Sequence, residues 1–326
     1  MQDFHCPHCG QRLAFENSQC LQCGSEIGIA LSLAGFALVG PRFRRCANVE
    51  LAACNWLVEA EGELCRSCAL TRTRPADGDR AALTEFARAE AAKRRLVYEL
   101  IALSLPIAGR DVSPEAGLAF DLLSSRQDPV TTGHATGVIT LDLAEGDDVH
   151  REQLRVSMDE PYRTLLGHFR HEIGHYYFSV LVAPGERARF EELFGDPDAD
   201  YQAALDRHYA EGAPAEWGQR FVSAYATMHP AEDWAETFAH YLHIRDTLDT
   251  AAAFAFAPSG VAIGQVAPTD VGFDQVIAVW LPLAWALNML NRSMGQDDLY
   301  PFVLSPAVLD KLRFVHQLVQ RAALAR

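Results

Sequence analysis

The sequence predicts an α+β protein dominated by helices, with a small cysteine-rich domain at its N-terminus. All eight cysteines lie within the first 68 residues. After residue 80, several long segments are rich in helix formers, and proline or serine marks where some of them start. One short segment, residues 137–143, has the alternating character of a strand. We expect two domains, residues 1–74 and residues 75–326.

The first four cysteines form two CxxCG turns separated by ten residues. In each turn both sulfurs face one point, and the glycine permits the sharp bend. Two such turns facing each other make a tetrahedral thiolate cage, which suits a structural zinc ion. Iron and disulfides are the alternatives, and a reducing compartment argues against disulfides. The predicted ligands are Cys6, Cys9, Cys20 and Cys23.

The other four cysteines are spaced less regularly, and only Cys65 and Cys68 have the CxxC spacing. Cys46 and Cys54 must converge with them through a loop or a short helix. The even count and the absence of cysteine after residue 68 favour a second metal site, and buried free thiols are the alternative. A domain this small buries little apolar area, so one or two structural zinc ions would stabilise it.

Composition and charge limit the partners of the chain. Of its residues, 49% are hydrophobic and 22% are charged, as in ordinary globular proteins, and the net charge is -15. Residues 1–110 hold 13 basic and 12 acidic side chains, whereas residues 111–326 hold 15 and 31. Such an acidic body argues against nucleic acid as the main partner. Six arginines surround the second cysteine group, and we keep the cysteine-rich region open as a surface for a protein partner.

We expect a cytoplasmic protein with reduced thiols and no membrane span. The first residues do not combine a basic start with an apolar stretch, as a secretory signal would. The apolar segment from Val276 to Leu290 is short and interrupted by Pro282, so it predicts a buried helix.

Four further helices and one strand are predicted after the cysteine-rich region. Residues 74–79 are rich in proline, glycine and aspartate, as linkers are. The helices are predicted over residues 80–105, 160–182, 230–253 and from 306 to the C-terminus, with Pro161, Pro230 and Pro306 in first turns. The strand is predicted over residues 137–143.

The second of these helices carries an HExxH motif. His171 and His175 are four residues apart, so both imidazoles leave one helix face and can bind one metal ion. Glu172 then lies beside the metal-bound water, where its carboxylate can accept the proton. Arg170 is unusual, because an uncharged residue normally precedes the first histidine. We expect it to pair with an acidic neighbour.

A tetrahedral zinc site needs a third protein ligand, and no histidine follows at the spacing of metzincins. Glu232 and Glu236 are four residues apart on the helix predicted from Pro230. We assign Glu232 as the ligand and Glu236 as the carboxylate that holds a ligand histidine by its other ring nitrogen. The competing ligands are Asp233, Glu236 and His240; His240 and His243 fit better as buried or hydrogen-bonded histidines.

Over almost its whole length the chain resembles a bacterial family of zinc-binding metallopeptidases with a fused zinc ribbon. The resemblance is carried by the two cysteine turns and by the following strings: RRCAN at 44–48, CNWLV at 54–58, LTRT at 70–73, KRRL at 93–96, YRTLLGHFRHEIGHYY at 162–177 and EDWAE at 232–236. It implies a zincin-like catalytic domain of the gluzincin type, with one catalytic zinc ion and peptide or protein substrates.

The stretch from Glu232 to Phe238 also resembles the third-ligand helix of anthrax lethal factor. That enzyme has a tyrosine seven residues before its ligand glutamate, and Tyr225 stands at this place here. The resemblance implies a phenol that donates to the developing oxyanion; a core tyrosine is the alternative. Zincins bind substrate along an edge strand, and we expect residues 138–143 to form it, with Gly133 and His134 beside the cleft.

Three functions are compatible with these residues. The first is a cytoplasmic zinc peptidase. The second is a catalytically idle scaffold that recruits a partner through its ribbon, although a scaffold has no need of Glu172. The third is a repair protease for DNA-bound proteins, like SprT-type chains, which the acidic body and the missing third histidine argue against.

Overall fold

The structure is a computed structural model that describes residues 1–126, 128–146, 164–261 and 272–325. It confirms the α+β class, with a small cysteine-rich region followed by a body dominated by helices. The chain divides into two compact units, Met1–Tyr98 with Ile107–Arg151, and Glu99–Pro106 with Glu152–Arg326. The predicted domain boundary at residues 74–75 stays a prediction.

The cysteine-rich part of the first unit is built from three short antiparallel strand pairs. Each pair is only two to four residues long, so its stability depends on what packs around it. Phe4, Phe15, Phe36 and Trp56 are buried there and make ring contacts with one another or with Tyr98. The pairs are β1 (Phe4–His5) with β2 (Arg12–Leu13), β3 (Ile27–Ala30) with β4 (Gly35–Leu38), and β5 (Arg44–Arg45) with β6 (Leu57–Val58); a short helix, α1, spans Val49–Ala52.

The first long helix, α2, spans Arg80–Ala102 and is close to the predicted range of 80–105. Asp79 caps it, because its side chain accepts a hydrogen bond from the backbone of Ala82 at 2.9 Å. Residues 74–79 before it form neither helix nor strand and lie within the first unit. Tyr98 near its end belongs to the aromatic core of the first unit.

A four-stranded sheet completes the first unit. Its strands are β7 (Thr71–Thr73), β8 (Ala119–Leu123), β9 (Gly133–Ala135) and β10 (Val138–Asp142), in the order β7-β8-β10-β9. The strand predicted at 137–143 is thus confirmed as β10, but the expectation that it forms an edge is wrong. The tight turn after β9 folds that strand back antiparallel onto β10, so β9, with Gly133 and His134, covers the edge.

The described part of the second unit is helical. Thr164 caps α3, and its hydroxyl accepts a hydrogen bond from Gly167 at 3.0 Å. The helix therefore begins at Leu165, later than the predicted Glu160, because Thr164 has extended backbone angles; Glu160 and Pro161 lie outside the described residues. The helices are α3 (Leu165–Leu181), α4 (Arg187–Phe194), α5 (Tyr201–Glu211), α6 (Pro230–Ala253), α7 (Phe273–Ser293) and α8 (Pro306–Leu324).

The helices α3 and α6 pack closely at the centre of this unit, and Gly174 permits their approach. A Cβ atom at Gly174 would lie 2.9 Å from the Cα of Ala235, closer than real Cβ contacts allow. The indole of Trp234 donates to the carbonyl of Gly174 at 2.8 Å. The rings of Phe190 and Phe314 both contact the ring of Trp234. The glycine inside the HExxH motif therefore sets the distance between the two helices.

Helix α7 covers the apolar segment that was predicted to form a buried helix, and it is buried only in part. It continues through Pro282, buries Val276 and Trp280, and leaves Leu281 and Trp285 exposed. Among the helices of the described residues, it is the one that is long and apolar enough to cross a membrane by length and composition alone. Core helices of water-soluble proteins pass the same test, so this observation is weak evidence for a membrane.

Arg170 pairs with two acidic side chains, as predicted from its unusual place before His171. Its guanidinium lies 3.0 Å from Glu99 and 2.9 Å from Asp246, and both Arg170 and Glu99 are buried. Burial raises the pKa of Glu99 to about 8, although the charge of Arg170 acts in the opposite direction. The arginine thus pairs with one buried and one half-buried carboxylate.

We expect Arg170→Met to destabilise the protein by about 3–5 kcal/mol, because the change removes the cation that is hydrogen-bonded to the buried carboxyl group of Glu99. Chemical denaturation followed by circular dichroism measures this. Arg189→Met is the matched control: Arg189 pairs with Glu192 on the surface, where both side chains are exposed, and we expect a change below about 1 kcal/mol. Equal effects of the two variants would contradict the role given to Arg170.

Candidate active site and metal centres

Helix α3 presents His171, Glu172 and His175. The rings of the two histidines lie 5.0 Å apart between centroids, as expected for side chains four residues apart on one helix face. His171 and Glu172 are buried, and His175 is half-buried. The two imidazoles can therefore approach one metal ion from the same side.

Glu232 lies in the first turn of α6, directly opposite these histidines. Its Oε2 atom is 2.9 Å from Nε2 of His171 and 3.5 Å from Nε2 of His175. The three ligand atoms lie within 4.8 Å of one another, as they would around one ion. Burial alone would raise the pKa of Glu232, but the two histidines outweigh it and hold the pKa well below its usual value.

The donor set fits a zinc ion. Oε2 of Glu232 is buried and has no hydrogen-bond partner among the described residues, although it faces both histidines. Buried polar atoms without partners are costly, and a metal ion in this place would satisfy the atom. Two imidazoles and one carboxylate are also the protein ligands of known catalytic zinc sites, which keep the fourth position open.

Glu236 contacts His171 on the ring nitrogen that does not face Glu232. Nδ1 of His171 donates to Oε1 of Glu236 at 2.7 Å, and Nε2 is directed at Glu232, where it could bind a metal ion. The hydroxyl of Ser223 donates to the other oxygen, Oε2, at 2.6 Å. Burial would raise the pKa of Glu236, but the contact with His171 lowers it to about 2. Glu236 is therefore ionised and suited to fix the ring of His171.

The competing ligands are engaged elsewhere. Asp233 pairs with Lys311 at 2.6 Å, and both side chains are buried. His240 shares a hydrogen bond of 2.8 Å with the hydroxyl of Tyr300, and His243 packs against the rings of Trp280 and Tyr300. Burial lowers the pKa of His240 to about 4 and that of His243 to about 3, so both stay neutral near pH 7.

Glu172 has one oxygen held and one oxygen free. Oε1 lies 3.2 Å from Nε2 of His168, one helical turn earlier, which donates to it. Oε2 is buried and has no hydrogen-bond partner in the described part of the chain. Burial would raise the pKa of Glu172, but the hydrogen bond from His168 and the nearby His171 lower it. An ionised carboxylate with a free oxygen beside the ligand set is suited to accept a proton.

Tyr225 lies in a single helical turn, Tyr225–Thr227, just before α6. Its ring is 5.9 Å from that of His171 between centroids. Burial raises its pKa, and the negative charge of Glu232 adds to the effect. The phenol therefore keeps its proton at neutral pH and is available as a hydrogen-bond donor near the ligand set.

The eight cysteines form two separate cages in the first unit, and none of them is paired in a disulfide. In the first cage, the Sγ–Sγ distances are 3.8 Å for Cys6 and Cys23 and 3.6 Å for Cys9 and Cys20. In the second cage, Sγ of Cys54 lies 3.7 Å from that of Cys65, and Cys46 and Cys68 complete the group. All four residues of the second cage are buried, whereas Cys9 in the first cage is exposed.

Comparisons with known proteins identify the family. Residues 82–318 match the family described as "Putative zinc-binding metallo-peptidase", and residues 3–79 match a zinc-ribbon domain. The chain belongs to this metallopeptidase family. It is 63% identical to three uncharacterised proteins, one from Mycobacterium bovis and two from strains of Mycobacterium tuberculosis, over 99% of this chain and 96% of theirs. No solved structure matches it significantly.

Three side chains beside the candidate metal ligands were not found from the sequence. His168 lies beside Glu172, Ser223 holds Glu236, and the hydroxyl of Tyr201 donates to Glu232 at 3.0 Å. His168 is one turn before Glu172 on the same helix, so the helical spacing alone would have indicated it. Ser223 and Tyr201 lie in other segments, and only the fold brings them to the site.

We expect Glu232→Ala to remove one zinc ion per chain, because it deletes the oxygen that faces both histidines. Asp233→Asn is the matched control: it changes the neighbouring carboxylate, which contacts Lys311 and not the histidines, and keeps its shape. Metal analysis of the purified variants measures the difference. Loss of zinc from Asp233→Asn alone, or a coordination sphere that contains His240, would contradict the assignment of Glu232.

Proposed function

We propose that this protein is a zinc-dependent peptidase that hydrolyses peptide bonds in peptide or protein substrates. The observation that carries the proposal is the carboxylate of Glu172, whose free, buried oxygen lies on the helix face that also carries His171 and His175. A site that only binds metal for stability has no use for such a group, since structural zinc sites are closed by four protein ligands.

His171, His175 and Glu232 would hold the zinc ion, which when bound polarises the scissile carbonyl and makes water more acidic. Glu172 accepts the proton of the attacking water through its free oxygen and then passes it to the leaving amine. Tyr225 donates a hydrogen bond to the oxyanion that develops from the carbonyl oxygen. Glu236 keeps the ring of His171 in place and fixes its tautomer.

The proposal includes a cytoplasmic location, because two cages of free cysteines suit a reducing compartment. It also includes structural zinc ions in the two cages and leaves the ribbon available to a protein partner. A partner-recruiting scaffold with an idle site is the alternative, and it predicts that the purified protein binds zinc but cleaves nothing.

Profiling of cleavage products tests the proposal. A proteome-derived peptide library is incubated with the zinc-loaded protein, with the protein treated with a chelator, and with the chelated protein after zinc is restored. We expect new N-termini at recurring sequences with the first and third samples and none with the second. If zinc-loaded protein with a full metal count produces no new termini, the scaffold alternative replaces the peptidase.

We expect Tyr225→Phe to lower kcat about 10²–10³-fold, the loss typical of one oxyanion donor, while the zinc content stays unchanged. Initial rates with a peptide found in the library measure the effect. Tyr209→Phe serves as the control, because Tyr209 is 73% exposed and its hydroxyl can be removed without touching the site. An unchanged kcat in the Tyr225 variant would assign this tyrosine to packing alone.

A further inference from the structure

The two oxygens of Glu232 have different surroundings. Oε2 faces the histidines of α3 and is without a hydrogen-bond partner among the described residues. Oε1 points the other way and accepts a hydrogen bond of 3.0 Å from the hydroxyl of Tyr201. Because Glu232 is buried, this phenol occupies one lone pair of Oε1 in a place that water does not reach easily.

Tyr201 is the first residue of α5, and two hydrogen bonds fix the backbone at this helix start. The side chain of Asp200 caps α5 by accepting a hydrogen bond from Ala203 at 3.0 Å. One residue earlier, the carbonyl of Ala199 accepts a hydrogen bond of 3.0 Å from Nε2 of His229. The start of α5 is thus fixed by its own cap and by a histidine from another segment.

His229 is itself the cap of α6, the helix that carries Glu232. Its Nδ1 accepts a hydrogen bond from the backbone of Ala231 at 3.1 Å, so Nε2 carries the proton that is donated to Ala199. The ring of His229 also packs against that of Tyr201, with centroids 5.1 Å apart. One imidazole therefore ties the first turn of α5 to the first turn of α6 and brings the phenol to Glu232.

From this geometry we propose that Tyr201 is a positioning residue that makes Glu232 bind the metal ion through one oxygen only. The inference rests on the proposed zinc site. A carboxylate can bind a metal ion through one oxygen or two, and a hydrogen bond that occupies Oε1 disfavours the second mode. Binding through one oxygen keeps a coordination position open, as catalytic zinc sites require. Tyr201 would thereby keep a position available for water and substrate.

The test is chelator competition with the full-length, zinc-loaded protein. The chelator removes zinc in phases, and the phase that wild type shows but Glu232→Ala lacks belongs to this site. The zinc ions of the cysteine cages therefore do not interfere. We expect Tyr201→Phe to weaken zinc binding in this phase about 10–100-fold, the usual effect of losing a group that orients a ligand. Tyr209→Phe is the matched control, since it removes the hydroxyl of an exposed tyrosine on the same helix, and it should leave the phase unchanged.

Cobalt(II) in the same site gives a second readout. If Glu232 shifts to binding through both oxygens, the coordination number rises, and the visible absorption of the cobalt ion weakens relative to wild type. A merely structural tyrosine would not change this spectrum. Tyr201 is 43% exposed, so phenylalanine should be tolerated; Tyr201→Met, which also lacks the hydroxyl, repeats the measurement if the first variant does not fold.

Unchanged zinc affinity and an unchanged cobalt spectrum in both Tyr201 variants would overturn the inference and leave the zinc site intact. A large loss of kcat with unchanged affinity would also overturn it, because the hydroxyl would then act on the substrate. If wild type lacks the phase that depends on Glu232, the zinc site itself is wrong, and the inference is overturned together with it.

Discussion

Glu172→Gln is expected to keep the full zinc content and to slow hydrolysis about 10²–10⁴-fold, the range that general-base catalysis typically contributes. Glutamine keeps the size of the side chain and can still contact His168, but its amide does not accept a proton at neutral pH. The carboxylate is not one of the three atoms that surround the candidate ion, so the metal should stay. Rates with a peptide from the library, measured at a known zinc content per chain, show the effect.

The matched control for this prediction is Glu192→Gln. It makes the same chemical change on the surface, at a residue that pairs with Arg189. Its rate should equal that of wild type. If Glu172→Gln turned over as fast as this control, Glu172 would not be the base, and the peptidase mechanism proposed here would fail.

The sequence predicts those parts of the site that are encoded by local spacing. A separation of four residues on a helix puts His171 and His175 on one face, and the same spacing puts Glu232 and Glu236 on another. Proline at the first position and the polar residue before it define where α6 begins, and the structure has that helix at Pro230–Ala253, as predicted. Helical geometry thus needs no tertiary information to place these side chains.

Features that depend on tertiary packing were missed or mispredicted. Tyr201 lies 31 residues before Glu232, and only the contact between His229 and Ala199 brings it to the carboxylate. Helix α7 was predicted to be buried, but it leaves Leu281 and Trp285 exposed, because apolar composition alone does not show which face of a helix packs against the protein. The order of the strands in the sheet could not be predicted either, because the edge strand β9 has only three residues and shows no periodic pattern in the sequence.

The second cysteine cage could be predicted from the sequence only in part. The CxxC turn at Cys65 and Cys68 was evident, but the separation of Cys46 and Cys54 did not indicate how they meet. The structure uses the short helix α1 between them and holds its end with Arg94, whose guanidinium donates to the carbonyls of Ala52 at 3.0 Å and Ala53 at 3.2 Å. A buried arginine on α2 thus ties the loop of the cage to the long helix.

Cys54→Ser is therefore expected to remove one zinc ion and to lower the Tm of the protein by at least about 10 °C. A structural zinc ion contributes about 10–16 kcal/mol to folding in small zinc domains, so even partial loss exceeds most core substitutions. Cys54 is only 1% exposed, and serine would leave a poor ligand in a site that water cannot fill. Cys9→Ser is the matched comparison, because the same substitution at the exposed residue of the first cage should cost zinc but less stability. Metal analysis and thermal unfolding of both variants decide the matter: a Cys54→Ser protein with full zinc and an unchanged Tm would show that the second cage is a group of buried thiols.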